Sequence, residues 1–554
     1  MKKIVLLILF VMGISLTSNA QPQIKKITKS LFTLKTYGKD GTVKSTSHGL
    51  FIGKNGEAVG LWSAFTDAER AIVTDVDGRE MDVECIMGAN ELYDVCKFKV
   101  KGNTVAAEYS PQPAKQNDKV WLINTSESKP SPLPYTVSKA ETFSNKYNYY
   151  VLPSDDNMPG ESGYAIVNSQ GMVIGITQNS NTPGEIHAVD TKFIDDLKIE
   201  GLSISEPIFR KTGILLDMPK DKEQALIMLV MAKELNDSAK YIGYINDFVE
   251  RFPKDVDGYA ARAMTNMSLQ KYEDADNDMK LAIEKATDKA EAHSEYSRVM
   301  YQKIVYEPDS TFTHWTLDNA LDEIHKAIAI NPMPVYKHRE AQIIFSQGNY
   351  KDAYDRFIGL TKEKLNREEL FFEAAQCKTQ LAAPDQEIIV LLDSAINACQ
   401  KPLNALAAPY ILSRGQLYDK IGEYRKAMSD YNTYDTLMVG RANDVFYYTR
   451  YLCALNTKQF QQALNDIAHA AYINPYQPTY MAELASLQLR FNQLDNAIKS
   501  ATMCINIAPE YADGYIIRGI ALMHNKDKEK GMEDLLKAKE LGDARADELI
   551  NKYK

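Results

Sequence analysis

The chain has 554 residues, a formal net charge of −10, 45% apolar residues and six scattered cysteines. That length requires more than one hydrophobic core, and an acidic chain without a basic tract lacks the electrostatics of a nucleic-acid or anionic-membrane binder. No cysteine stands in a CxxC or other metal-ligand spacing, so neither a metal nor a cofactor is expected.

Residues 1–20 read MKKIVLLILFVMGISLTSNA: Lys2 and Lys3, an apolar run from Ile4, then small residues at Ser18 and Ala20. That order predicts an export signal cut after Ala20, its apolar run too short for a comfortable anchor. No cysteine stands near the cut, and no later apolar stretch of about 18 residues follows. The mature chain of 534 residues, at −12 once Lys2 and Lys3 are gone, is expected to be soluble in the periplasm or outside the cell. No membrane insertion is expected after cleavage.

From Ile24 to Ile204 short apolar runs alternate with turn residues: HGLFIGKNGEAVGLW, AIVTDVDGREMDVECIM, DVCKFKV, DKVWLIN, YAIVNSQGMVIGIT and IHAVD. Asn55-Gly56, Asp77-Gly78 and Gln170-Gly171 separate predicted strands, and this pacing predicts an all-β region, barrel or sandwich, over residues 24–204. Cys85 and Cys96 fall on neighbouring predicted strands, either as a disulfide that export permits or as buried thiols.

Residues 205–219 read as a linker, and from 220 to 554 the pattern changes to helix-length amphipathic segments. DNALDEIHKAIAINP, QQALNDIAHAAYINP and DNAIKSATMCINIAP each place an alanine twelve residues before a proline: Ala320 and Pro332, Ala463 and Pro475, Ala497 and Pro509. The last two copies are 34 residues apart, and a small residue recurs seven positions on, as in Ala275/Ala282, Ala320/Ala327, Ala463/Ala470 and Ala497/Cys504. A large residue stands three before the alanine at Tyr272, Tyr350, Tyr424, Phe460 and Leu494. Small residues at helical spacing let a partner helix approach, and proline ends the unit. Period and positions resemble the tetratricopeptide repeat, over residues 220–554. The register is looser at 360–440, where Leu360 and Tyr434 take small-residue positions, and TFTHWTLD (311–318) lengthens one pair. The resemblance implies an all-α solenoid with a concave, peptide-binding groove. Its abundant tyrosines, among them Tyr410, Tyr418, Tyr447, Tyr448 and Tyr451, read as core or groove lining.

Three stretches of the β half, HGLFIGKNGEAVGLWSAF, TDVDGRE with LYDVCKFKV, and MPGESGYAIVNSQGMVIGI, resemble trypsin-like serine peptidases of the high-temperature-requirement branch. The resemblance implies a double β-barrel, with Asp94 as the acid and Ser162 as the nucleophile. Gly160 and Ser162 would supply the N–H groups of an oxyanion hole. The histidine position falls on Ser63, preceded by Trp62; Tyr164 replaces the second glycine of the loop, and Glu161 adds a negative charge beside it. A serine hydroxyl needs a base near neutral pH, and Ser63 is none; losing that base costs on the order of 10⁶ in turnover. His48 and His187 are the only histidines of this half; the other six, His293, His314, His325, His338, His469 and His524, belong to the helical half. His48 reads as a barrel or rim residue, and His187 maps to a strand on the wrong side for a base. Ser162 is therefore expected to cut nothing. The expected function is an exported scaffold binding a peptide or protein through the repeat groove and the peptidase-like cleft. The competing expectation is a serine endopeptidase with an unconventional base, its repeats recruiting substrate. A third makes the β half inert and the repeats the sole working part.

Overall fold

A computed structural model describes residues 27–124, 130–154, 162–179, 182–308, 311–363 and 365–554; the predicted export signal lies outside them. The chain divides into two compact units, Met1–Asp288 and Lys289–Lys554. Among the described residues, no helix is long and apolar enough to cross a membrane.

In the first unit, six strands close into an antiparallel barrel, in the order β1-β2-β3-β6-β5-β4. They are β1 (Leu31–Tyr37), β2 (Val43–Phe51), β3 (Glu57–Gly60), β4 (Arg70–Asp75), β5 (Glu80–Asn90) and β6 (Val95–Val100). Seven more form an open sheet, in the order β8-β7-β11-β12-β13-β10-β9. These are β7 (Lys119–Asn124), β8 (Ser131–Thr136), β9 (Lys139–Phe143), β10 (Tyr147–Pro153), β11 (Ala165–Val167), β12 (Val173–Gln178) and β13 (Glu185–Asp190). The all-β region is thus a closed barrel and a half-barrel.

Alternation decides what faces inward. Phe32 and Leu34 of β1 point into the barrel, where Phe32 meets Phe51 at 4.8 Å and Phe65 meets Phe98 at 5.0 Å between ring centroids. The opposite faces are also apolar: Leu31, Leu50, Val59 and Val95 join Ile123, Val167, Val173, Ile176 and Val189 in a second core shared with the open sheet. Cys85 and Cys96 lie on adjacent strands but are not opposite each other, Cys85 facing Lys99 and Cys96 facing Ala89. All six cysteines are free thiols, five of them buried, and burial pushes the Cys85 and Cys96 thiols up.

Segment 205–219 is built into the barrel. Leu216 forms a parallel bridge with Ile86, and Phe209, Ile214, Leu216 and Met218 are buried in the barrel core. The same core takes in Met228 and Leu229 of helix Lys222–Lys233 and Tyr244, Ile245 and Phe248 of helix Ser238–Arg251. Ile214, Leu216 and Met218 alternate with the half-buried Leu215 and Asp217, a strand-like period confined to five residues, too short to separate from a linker in sequence.

Asp247 of the second of these helices is half-buried near Glu250, Asp217 and Glu84, and burial first, those carboxylates second, push its carboxyl up to about 6, with Arg251 opposing. A carboxyl that holds its proton more tightly when folded adds stability in acid and loses it as pH rises from the unfolded value of 3.8 through 6. Asp247→Asn is therefore expected to stabilise the first unit by about 1–3 kcal/mol at pH 7. The gain should shrink toward zero at pH 4, as urea melts at the two pH values will show.

Nineteen helices follow the strands among the described residues, and within each unit helices pack on their sequence neighbours. The small residues singled out by the repeat are fully buried: Ala275, Ala282, Ala320, Ala327, Ala463, Ala470, Ala497 and Cys504 all have 0% exposure. Pro332, Pro475 and Pro509 follow helices that end at Ile330, Ile473 and Ile507. The large residues three before the alanine each open a helix. That end position buries Tyr272 but leaves Phe460 44% exposed, so a gap-filling role holds for the first and not the second.

A second regularity lies beneath the alanine pattern. Arginine on one helix meets aspartate sixteen residues later on the next at Arg262/Asp278, Arg414/Asp430, Arg450/Asp466 and Arg518/Asp534. In the last three, Nε and Nη2 each bond one carboxylate oxygen, for example at 3.0 and 2.8 Å in Arg450/Asp466. The remaining Nη1 reaches back to the preceding helix, to Asn246, Asp393, Asn432 and Thr502 respectively. Each arginine therefore ties three successive helices. Glu340 and Arg356 are the same pair reversed, with Nη1 donating to Oε2 at 2.6 Å.

Candidate functional site

The β3–β4 connection opens with a short turn of 3-10 helix at Ser63–Phe65, anchored by the buried side chains of Ala64 and Phe65. Asp94 sits just before β6 with φ of 43°, left-handed backbone that a non-glycine residue rarely adopts. From there its carboxylate accepts two hydrogen bonds from Ser63, the N–H at 2.6 Å to Oδ1 and the hydroxyl at 2.9 Å to Oδ2. Asn179, just after β12, points its amide nitrogen at the same pair, 3.4 Å from Asp94 Oδ2 and 3.5 Å from Ser63 Oγ. The structure therefore brings Ser63 and Asp94 together. It adds Asn179, which sequence reasoning does not reach because nothing local marks an asparagine 85 residues from its partner. Trp62, beside Ser63, is 2% exposed and packs edge-on against Phe209, 6.0 Å away, so tryptophan at this position closes the barrel against segment 205–219.

Ser162 is half-exposed at the turn into β11; Gly160 and Glu161 lie outside the described residues, and with them the Gly160 side of the expected oxyanion hole. No hydrogen bond joins the Ser162 hydroxyl to Ser63, Asp94 or a histidine. The turn itself is tightly held. Gly163 donates its N–H to the Thr177 carbonyl at 2.8 Å, and Tyr164 donates its N–H to the Thr177 hydroxyl at 2.9 Å. Gly163 has φ of +85°, and a Cβ there would lie 2.3 Å from the His48 carbonyl oxygen. Tyr164, in place of a glycine, is 4% exposed and stacks on the His48 ring at 4.7 Å and 20°. The glycine is demanded by backbone packing and the tyrosine fills a core position, so both features of the loop have reasons apart from catalysis.

Each histidine of this unit has a place of its own. His48 lies on β2, and burial pushes its imidazole below the ordinary value, with a hydrogen bond to the Phe32 backbone opposing. His187 lies on β13 opposite Val151 and Gln178. Both its nitrogens are engaged: Nδ1 with the Tyr149 hydroxyl at 3.2 Å and Nε2 with Glu185 at 2.9 Å. The Ser63–Asp94 pair contains no imidazole, and His187 is tied within its own sheet.

In the second unit, Tyr447 and Tyr451 are buried, and the Tyr451 hydroxyl donates to Glu483 at 2.6 Å. Tyr448 lies between Tyr451 and Tyr480, at 5.7 and 5.0 Å. Trp315 and Phe312 of the 311–318 insert are buried and pack edge to face at 5.1 Å. No known protein family matches the chain, and no curated protein matches it.

Proposed function

We propose that this chain is an exported scaffold that binds peptides or proteins: a trypsin-like peptidase fold without its base, joined to tetratricopeptide repeats. One observation carries the reading: Asp94 accepts both the N–H and the hydroxyl of Ser63, the residue that the resemblance sets at the place of the base. With that pair satisfied internally, Ser162 has no imidazole to take its proton. A cleft that has lost its base still holds an extended peptide by strand pairing and side-chain pockets, which need no proton transfer. The groove of the stacked helical pairs takes a second segment, and two weak sites on one chain bind with the gain of effective concentration. The buried alanines and the arginine–aspartate pairs support the repeat reading, since both recur at one place in several helix pairs.

The test is labelling of the mature protein with a fluorophosphonate probe, beside Ser162→Ala. The expected result is no labelling in either, with a reduced and alkylated unfolded polypeptide retained intact on gel filtration. Labelling that vanishes in Ser162→Ala, or Ser162-dependent cleavage of that polypeptide, would overturn the reading and establish an active peptidase.

A further inference from the structure

Helix Arg367–Gln380 carries Glu369 and Glu373 four residues apart, which places both carboxylates on one face. Like charges at that spacing repel, and Glu369 makes no ion pair or hydrogen bond with a described residue. Across from them, helix Pro334–Ser346 presents His338 and Gln342, again four apart. His338 Nε2 lies 2.5 Å from Glu373 Oε2, and the Gln342 amide donates to Glu373 Oε1 at 2.8 Å. One ligand atom each from His338, Glu369 and Glu373 lies within 4.8 Å of the others. The His338 ring has its face or edge against Phe357, 5.9 Å away, so one side of the cluster is apolar.

We propose that His338, Glu369 and Glu373 form a binding site for one divalent transition-metal ion of the zinc class. The donor set, one imidazole nitrogen and two carboxylate oxygens, suits zinc and its neighbours; magnesium and calcium select oxygen alone. Bonds of about 2.0–2.2 Å to one ion hold three ligands roughly 3–4 Å apart, a small adjustment from the arrangement present. The proton shared between His338 and Glu373 leaves for solvent as the metal takes its place, the pair opens, and Glu369 swings in; water completes the coordination. Gln342 is the outer partner that orients the Glu373 carboxylate. The ligands come from the first helices of two helical pairs, so a bound ion ties those pairs together at one point of the second unit. No spacing in the sequence announces this, because histidine and carboxylates come from separate helices more than thirty residues apart.

The experiment uses the mature chain, free of any affinity tag and stripped with chelator, titrated calorimetrically with zinc chloride and, in parallel, with magnesium and calcium chloride. One saturable zinc equivalent per chain is expected, weakened by roughly tenfold or more in His338→Ala and in Glu369→Gln. Glu369→Gln is near-isosteric, removes no described contact and relieves the repulsion from Glu373, so its metal-free melting temperature should be no lower than that of the parent. Cobalt chloride should give weak d–d absorption without thiolate charge transfer, excluding the cysteines as ligands. No saturable zinc binding, binding unchanged in both variants, or a thiolate–cobalt spectrum would each overturn the site. Equal affinity for calcium or magnesium would overturn the metal class assigned to it.

Discussion

Replacing Arg450 with methionine is expected to destabilise the second unit by about 3–5 kcal/mol, the cost of leaving a buried charge without its partner. The side chains of Arg450 and Asp466 are 5% and 1% exposed, the most secluded of the recurring pairs. Burial already pushes the Asp466 carboxyl up, against the lowering by Arg450. Without the guanidinium that carboxylate must take a proton or admit water, and Asp435, 2.9 Å from Nη2, loses its ion pair and keeps only the Tyr447 hydroxyl. Arg450→Met with Asp466→Leu should recover most of the loss, since two apolar groups of similar volume substitute for a paired charge at little net cost. Arg518→Met should cost less, because its side chain is 23% exposed. Urea melts of the four proteins check the series, followed by helix signal and by Tyr fluorescence, since stacked helices need not unfold in one step. A loss below about 1 kcal/mol for Arg450→Met would show that the pair specifies helix register without adding stability.

Gly163→Ala is expected to cost the first unit about 3 kcal/mol or more, adding a steric clash to an unfavourable backbone conformation. Besides φ of +85°, the new Cβ would lie 2.3 Å from the His48 carbonyl oxygen and 3.0 Å from its carbon. That carbonyl belongs to β2, whose register places His48 opposite Thr33 of β1, so the barrel wall would have to move. Gly78→Ala is the control: φ is +82° there, with no atom within 4 Å of the added Cβ. It should cost about 1 kcal/mol, the conformational part alone. If thermal melts show equal losses, the turn yields at His48, and the contact is not what keeps glycine beside Ser162.

Much of this architecture is legible in the residues. Period-two runs divided by Asn-Gly and Asp-Gly mark the strands, and the alanine–proline register marks the helix pairs, because both patterns report which side chains face a core. The site is partly legible. The resemblance pairs position 63 with Asp94, and Ser63 does meet Asp94 in the structure. Asn179 joins them from the other sheet, and the buried arginine–aspartate pairs look in sequence like ordinary surface charges.

What the sequence determined by itself is therefore the order of the regions, the identity of the core faces and the absence of histidine at position 63. Each is a local property, set by side-chain size, polarity and period. Tertiary structure alone decided three things: that the second sheet stays open, that segment 205–219 fills the barrel core, and that charges sixteen residues apart pair inside the helical stack. These depend on packing between elements distant in the chain, where the loss of water around apolar and charged groups, and not any local preference, selects the partner.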